Sequence, residues 1–398
     1  LQQSPKRITP KCHVADKCGG CQLQHIAYES QLDWKTKKVK DHLERIGGFS
    51  NVKMEKTMGM DVPWQYRNKV QLPVGGTVDD VKIGFYANRS HRIIDTDCCQ
   101  LQHPINQEIV AIIRDFLHIY HIPPYHEQTH TGLVRHILIR VGYHTGEIMV
   151  CVVVNGKTLP HADVLAEKLC QIEGMTSVVV NENQAKTNVI LGKKNTVIWG
   201  QDCMHDTISG ISFAISPLSF YQVNPIQTNV LYETALQLAD LHGTETVLDL
   251  YCGIGTISLF LAQQAKSVFG VEIVPEAIAD AKKNAEANGI KNVEFVAGAA
   301  EDVILKLYET QKIQADVVVV DPPRKGCDVV LLDTILQIKP QKVVYVSCDS
   351  ATLARDLQYL CKEAYQLEQV SVVDMFPQTV HVETVVLLSK KEINQNRV

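Results

Sequence analysis

Two rhythms of apolar and polar residues divide this chain. Between residues 62 and 215, short β-prone runs recur: "NKVQLPV", "VKIGFYA", "VRHILIRVGY", "EIMVCVVVN", "TSVVVNEN" and "VIWGQD". Turns rich in Gly, Asn and His separate them, which predicts strands. Helical periodicity interrupts this region near residues 104–118 and 160–172. From Pro217 the rhythm changes. "SFYQVNPIQTNVLYETALQLADL" predicts a helix entry and a long amphipathic helix. The apolar strands "TVLDLY", "SVFGVE", "VEFVAG", "ADVVVVD" and "KVVYVSC" follow, alternating with helices, and "LEQVSVVDMF" and "TVVLLSK" add two more. Buried strands alternating with helices predict a doubly wound α/β domain. Upstream, Glu29 to Ile46 reads as a basic helix stopped by Gly47-Gly48. The expected order is a Cys-rich segment (1–28), a basic helical segment (29–61), a β-rich domain (62–215) and the α/β domain (216–398).

A chain of 398 residues holds two or three domains, and 45% hydrophobic with 21% charged residues is a globular composition. It contains no run of eighteen apolar residues, so no membrane span is expected, and no secretory signal precedes the first cysteines. Twelve cysteines in so long and apolar a chain do not suggest a disulfide scaffold. In a reducing cytosol, clustered cysteines point to metal or catalysis. The charge is uneven. Residues 1–200 carry 24 Lys and Arg against 19 Asp and Glu, a balance of +5; the rest carry 15 against 25, a balance of -10. The basic half is the better candidate for holding a polyanion, although domains commonly differ this much.

"VLDLYCGIGTISLFLA" reads as strand, turn and helix. Gly253 and Gly255 permit a tight turn and close approach of a ligand. Ile257 or Ser258 stands where a dinucleotide loop has its third glycine, which counts against a pyrophosphate. Asp249 precedes the loop, and Glu272 ends the next strand, where an acid holds a ribose diol. Together they resemble the S-adenosylmethionine loop of class I methyltransferases. In "VVVVDPPRKG" the strand ends at Asp321, and Arg324 replaces the aromatic common in amino-methylating enzymes. Cys348 lies just past a buried strand and beside Asp349, where open α/β sheets place active groups. It is a candidate nucleophile; the alternative is a small buried hydrophobe. Glu383, entering the last strand, is a candidate base, with His381 as a second; Glu383 also reads as a solvated strand-edge acid.

"SFYQVNP", "DLYCGIGT", "DPPRKG", "YVSCDSATLARD" and "FPQTVHVET", in this order, resemble the RNA 5-methyluridine methyltransferase family, and the likeness covers nearly the whole chain. That family includes the 23S rRNA enzymes RlmC, RlmD and RlmCD and the tRNA enzyme TrmA. The resemblance implies a Rossmann-like class I methyltransferase domain preceded by a β-rich RNA-recognition domain with a Cys-ligated cluster. It implies S-adenosyl-L-methionine as cofactor and uracil C5 as target. Uracil C5 is a poor nucleophile until a thiolate adds to C6; a base must then remove the C5 proton before the thiolate leaves. By the resemblance, Cys348 is the nucleophile and Glu383 the base. Gln222, Tyr251, Glu272 and Asp321 fall on cofactor positions, with Thr256 as a further contact.

Cys12, Cys18 and Cys21 do not have the paired spacing of a zinc ribbon and need a distant fourth ligand. Spacing alone leaves zinc and an iron–sulfur cluster open. The 23S rRNA members carry a [4Fe-4S] cluster on three early cysteines and one later one. By that resemblance "DTDCCQLQ" supplies the fourth, Cys99 aligning better than Cys98. The tRNA enzyme lacks the cluster, so these cysteines favour 23S rRNA. Methyl transfer needs no electron, so the cluster is expected to staple the N-terminal loop and shape an RNA surface. Lys35, Lys37, Lys38 and Lys40, Arg67 and Lys69, and Arg89, His91 and Arg92 are the nearby basic groups, although any one of them reads more readily as a solvated face. The family's usual N-terminal TRAM domain is expected to be absent from these residues; the start at Leu1 leaves truncation open. The alternatives are a tRNA uracil-C5 methyltransferase and a non-catalytic RNA-binding module on the same fold. A cytoplasmic monomer without a membrane partner is expected.

Overall fold

A computed structural model describes residues 2–310, 312–362 and 364–392. The chain forms two units. One joins the residues up to Ala27 with Val62–Pro225; the other joins Tyr28–Asp61 with the chain from Ile226 onward. The second therefore begins with helix α1 (Tyr28–Arg45), which the sequence places in a segment of its own.

The first unit is built on seven strands: β1 (Lys69–Gly76), β2 (Val81–Tyr86), β3 (Ile93–Asp95), β4 (Val134–Val141), β5 (Ile148–Val154), β6 (Met175–Glu182) and β7 (Lys194–Gly200). Their order is β3-β2-β1-β4-β5-β6-β7. Only β5 and β6 run parallel, and α3 (Ala162–Leu169) makes that crossover. Side chains alternate across the sheet. Val150, Val152 and Val154 pack with Ile109, Ile113 and Phe116 of α2 (Ile105–Ile119), while Cys151 turns to the other face with Leu138 and Val179. Both faces of β5 are buried, which is why "IMVCVVV" is continuously apolar. A hairpin, β8 (Met204–Ile208) and β9 (Ile211–Ile215), completes the unit. The Cys-rich segment is irregular. Gly19 N donates to Tyr86 O at 3.0 Å, and Cys18 bridges to Ala87, which pins the segment to the end of β2.

The second unit carries α4 (Pro225–Ala239), β10 (Thr246–Leu250), α5 (Thr256–Leu261), β11 (Ser267–Glu272), α6 (Pro275–Ala287) and β12 (Val293–Ala297). It continues with α7 (Ala300–Thr310), β13 (Val317–Val320), α8 (Val329–Ile338), β14 (Lys342–Ser347), α9 (Ser350–Cys361), β15 (Tyr365–Val373) and β16 (Glu383–Lys390). The sheet order is β12-β11-β10-β13-β14-β16-β15, parallel except for β16, which runs antiparallel between β14 and β15. Strand order reverses between β10 and β13, so their carboxyl ends open the cleft where such sheets bind ligands. Val39 and Leu43 of α1 join the core beside Leu353, Leu357 and Leu360 of α9. Met54 and Met58 bridge to Val370 and Val373, covering part of the β15 edge. These contacts explain why Tyr28–Asp61 belongs to this unit. No described helix is long and apolar enough to cross a membrane.

Candidate active site

The loop after β10 is turned by left-handed residues: Tyr251 at φ +67°, Gly253 at +57° and Gly255 at +84°. A Cβ on Gly255 would stand 2.8 Å from the Phe295 ring, so only glycine fits that packing. At Gly253 the same position meets nothing within 4 Å, which leaves backbone open to a ligand. Glu272, at the end of β11, accepts from Gly253 N at 3.3 Å and from Val274 N at 3.0 Å. Ile273 and Val274 beside it are exposed apolar residues. Thr256 opens α5, and its hydroxyl accepts from Tyr232 Oη at 3.0 Å. Asp249 is fully buried; Ser258 donates to its Oδ2, while Oδ1 has no hydrogen-bond partner. Burial, with Asp321 and Glu272 nearby, pushes the Asp249 carboxyl up to about 7. Burial pushes Asp321, just past β13, to about 6. A cationic ligand would relieve both.

Next along the sheet, Ser347 of β14 pairs with Thr384 of β16, and Thr384 Oγ1 donates to Ser347 O at 3.2 Å. Just beyond this last pair stand Cys348, which follows β14, and Glu383, the first residue of β16, and the Glu383 carboxyl is near enough to perturb the Cys348 thiol. Glu383 pairs with Val373 of β15. It is only 3% exposed, not the solvated edge acid that its place beside a turn allows. Burial, with Asp321 nearby, raises its pKa well above the ordinary glutamate range, against the opposing pull of Arg324. Burial pushes the Cys348 thiol up to about 11; Glu383 and Asp321 add to the rise and Arg324 opposes it. Asp349 is the N-cap of α9, accepting from Ala351 N at 2.9 Å and Thr352 N at 3.1 Å. That cap fixes the turn that presents Cys348.

In the first unit, Cys12, Cys18, Cys21, Cys98 and Cys99 line one cavity of about 260 Å³ with Arg67 and Lys69. Burial pushes the Cys99 thiol up to about 12, and Cys12, Cys18 and Cys21 add to the rise. Arg67 Nε is buried without a hydrogen-bond partner. Among the described residues, no group of three or more His, Cys, Asp or Glu is arranged as a site for one metal ion.

The family model described as tRNA (Uracil-5-)-methyltransferase matches residues 179–391. An uncharacterised RNA methyltransferase of Halalkalibacterium halodurans is 53% identical over 98% of this chain and 85% of its own length. Another, from Clostridium tetani, is 51% identical over 98% of this chain and 84% of its own. The chain belongs to the RNA uracil-5 methyltransferase family. The crystal structure of Pyrococcus abyssi tRNA (uracil-54, C5)-methyltransferase in complex with S-adenosyl-L-homocysteine matches with a TM-score of 0.79 at 28% identity, over 98% of this chain and 87% of that one.

For this family member, Tyr251, Thr256, Glu272, Asp321, Cys348 and Glu383 all stand at or just past strand ends along one edge of the second unit's sheet. Gln222 is not among them. It belongs to the first unit, where its carbonyl accepts from Asn68 Nδ2 at 2.9 Å. Sequence reasoning used Arg324 only to argue against nitrogen methylation, yet it is the cation that opposes the rise at both Cys348 and Glu383. The signal was its place three residues past the strand-end Asp321. Tyr232, buried and tied to Thr256, was also missed, because a helix aromatic usually reads as core.

Proposed function

We propose that the protein methylates C5 of a uridine in 23S rRNA, with Cys348 as nucleophile and Glu383 as base. The observation that carries this reading is that Cys348 and Glu383 stand together just beyond the last β14–β16 pair, Ser347 with Thr384, at the end of the sheet where the Gly253 loop also leaves β10. S-adenosyl-L-methionine supplies an electrophilic methyl group when bound. The open backbone at Gly253, the unpartnered Asp249 oxygen and the raised carboxyls suit such a cation. Glu272 would hold its ribose, with Tyr251, Thr256 and Asp321 as further contacts.

The Cys348 thiol first gives up its proton to solvent, and the positive charge of Arg324 favours the thiolate. The sulfur adds to uracil C6, and the C5–C6 electron pair moves onto O4, which makes C5 nucleophilic. After C5 is methylated, Glu383 takes its proton, the electrons re-form C5=C6, and the Cys348 sulfur leaves. A buried carboxylate with a raised pKa is a stronger proton acceptor than an exposed one. The target base must leave its stack to reach Cys348, which single-stranded loops make easier.

The five cysteines that line one cavity of the first unit support the choice of rRNA. Four of these five match the thiolate count that a [4Fe-4S] cluster takes. Cys12, Cys18, Cys21 and Cys99 would be the ligands, and Arg67 Nε is a donor in the cavity wall. The test is incubation with methyl-labelled cofactor and unmodified 23S rRNA or tRNA. Label in rRNA uridine is expected, lost in Cys348→Ala while cofactor binding persists. Label in tRNA alone overturns the substrate; retained methylation in Cys348→Ala overturns the nucleophile.

A further inference from the structure

Tyr28, Gln31, Lys35, Lys38 and His42 recur along α1 at intervals of three and four, which aligns them on one side of the helix. A polar helix face normally meets solvent, but this one is bonded throughout. Tyr28 Oη donates to Asp374 Oδ2 at 2.9 Å. Gln31 Nε2 donates to Gln378 Oε1 at 3.0 Å, and Gln31 Oε1 accepts from Gln378 N at 3.2 Å. Lys35 Nζ donates to Asp374 Oδ1, in a fully buried ion pair, and to Phe376 O at 3.1 Å. Lys38 Nζ donates to Val380 O at 3.0 Å. His42 Nδ1 shares a 2.8 Å hydrogen bond with Ser350 Oγ, two residues past Cys348.

Four residues of the stripe thus hold positions 374, 376, 378 and 380, alternate points on the segment that leads into Glu383. Gln378 lies at φ +70°, a left-handed conformation that a non-glycine residue keeps only where its surroundings enforce it. Gln31 grips it through both side chain and backbone. Docking alone does not require this stripe, because Val39 and Leu43 already anchor α1 in the core. We infer that α1 is a brace that sets the Glu383 carboxyl in place, with Gln31, Lys35 and Lys38 as positioning residues for proton removal. This rests on Glu383 being the base.

The test uses Gln31→Leu, Lys38→Met and Lys38→Arg in the full chain, with Glu383→Gln in parallel. Cofactor binding, thermal unfolding, methyl-labelled protein–RNA adduct and released methylated RNA are measured. Gln31→Leu and Lys38→Met should bind cofactor normally and form the methylated adduct. Misplacing a catalytic group by an ångström slows a step by about 100-fold, so the adduct should accumulate. Lys38→Arg, which keeps the donor, should restore release. Should Gln31→Leu fail to fold, the half-buried Lys38 pair decides. Wild-type release in folded Lys38→Met, or equal slowing of adduct formation and release, overturns the brace. Wild-type release by Glu383→Gln overturns the base assignment beneath it. A stall in Glu383→Gln without one in the α1 variants overturns the brace alone.

Discussion

Lowering the pH from 8 to 5 should weaken binding of S-adenosyl-L-methionine by about tenfold, and weaken S-adenosyl-L-homocysteine less. The reason lies in two carboxyls. Burial places Asp321 at about 6, and burial with two acidic neighbours places Asp249 at about 7. Burial penalises the anion, so the free protein holds these protons far above the usual carboxylate range. A bound sulfonium favours the anion, so binding strengthens as pH rises through these values. At pH 5 about one Asp321 in eleven is ionised, against nearly all at pH 8, which is about tenfold or ~1.4 kcal/mol. Asp249 titrates higher and adds to the loss. The homocysteine product has a neutral sulfur and draws less on the same charges. Titration calorimetry across this range, in two buffers of different ionisation enthalpy, reads affinity and proton release together; circular dichroism checks the fold at each pH. Asp321→Asn should flatten the pH slope. Equal slopes for the two ligands, or no proton release near pH 6, would refute the reasoning.

Glu383→Gln should still form the C6 adduct and accept the methyl group but release product about 10²–10⁴-fold more slowly. A denaturation-resistant, methyl-labelled protein–RNA band shows the stall; normal release instead points to His381 or a water. Cys99→Ser should lose iron, acid-labile sulfide and the brown colour of anaerobically purified protein, whereas Cys98→Ser should keep them. Stoichiometric zinc without sulfide in the unsubstituted protein would make the site a zinc site.

The α/β sheet is legible because each of its parallel strands is a short apolar run between helices. The first unit's long strands are legible for a related reason: Gly, Asn and His interrupt them. β3 escapes notice because three residues carry no period. The β8–β9 hairpin carries a local signal of its own. "MHDTI" and "ISFAI" each alternate buried and half-buried, and Ser209-Gly210 between them takes φ +45° and +84°, the left-handed pair of a tight hairpin turn. At the candidate site, Cys348 and Glu383 stand out by motif. That they come together at the end of the β14–β16 ladder does not, because it depends on the register of β16 beside β14, which no local pattern encodes.

The basic run from Lys35 to Lys40 shows why composition alone misplaces a helix. Taken together its four lysines suggest a surface for phosphates. Folding divides them. Lys37 and Lys40 are exposed and pair with Asp41 and Glu44 one turn on. Such pairs are weak and screened by salt, so a polyanion can recruit both lysines. Lys35 and Lys38 face the other way, toward partners more than 330 positions distant in sequence. Removing Lys35 would leave the buried Asp374 carboxylate without a countercharge, although still hydrogen-bonded by Tyr28, a loss of up to ~3–5 kcal/mol by the usual penalty for breaking a buried pair. No phosphate can draw on that charge without opening the core. The same four letters therefore divide in two: an outer pair exposed to solvent, and an inner pair holding the segment that leads to Glu383.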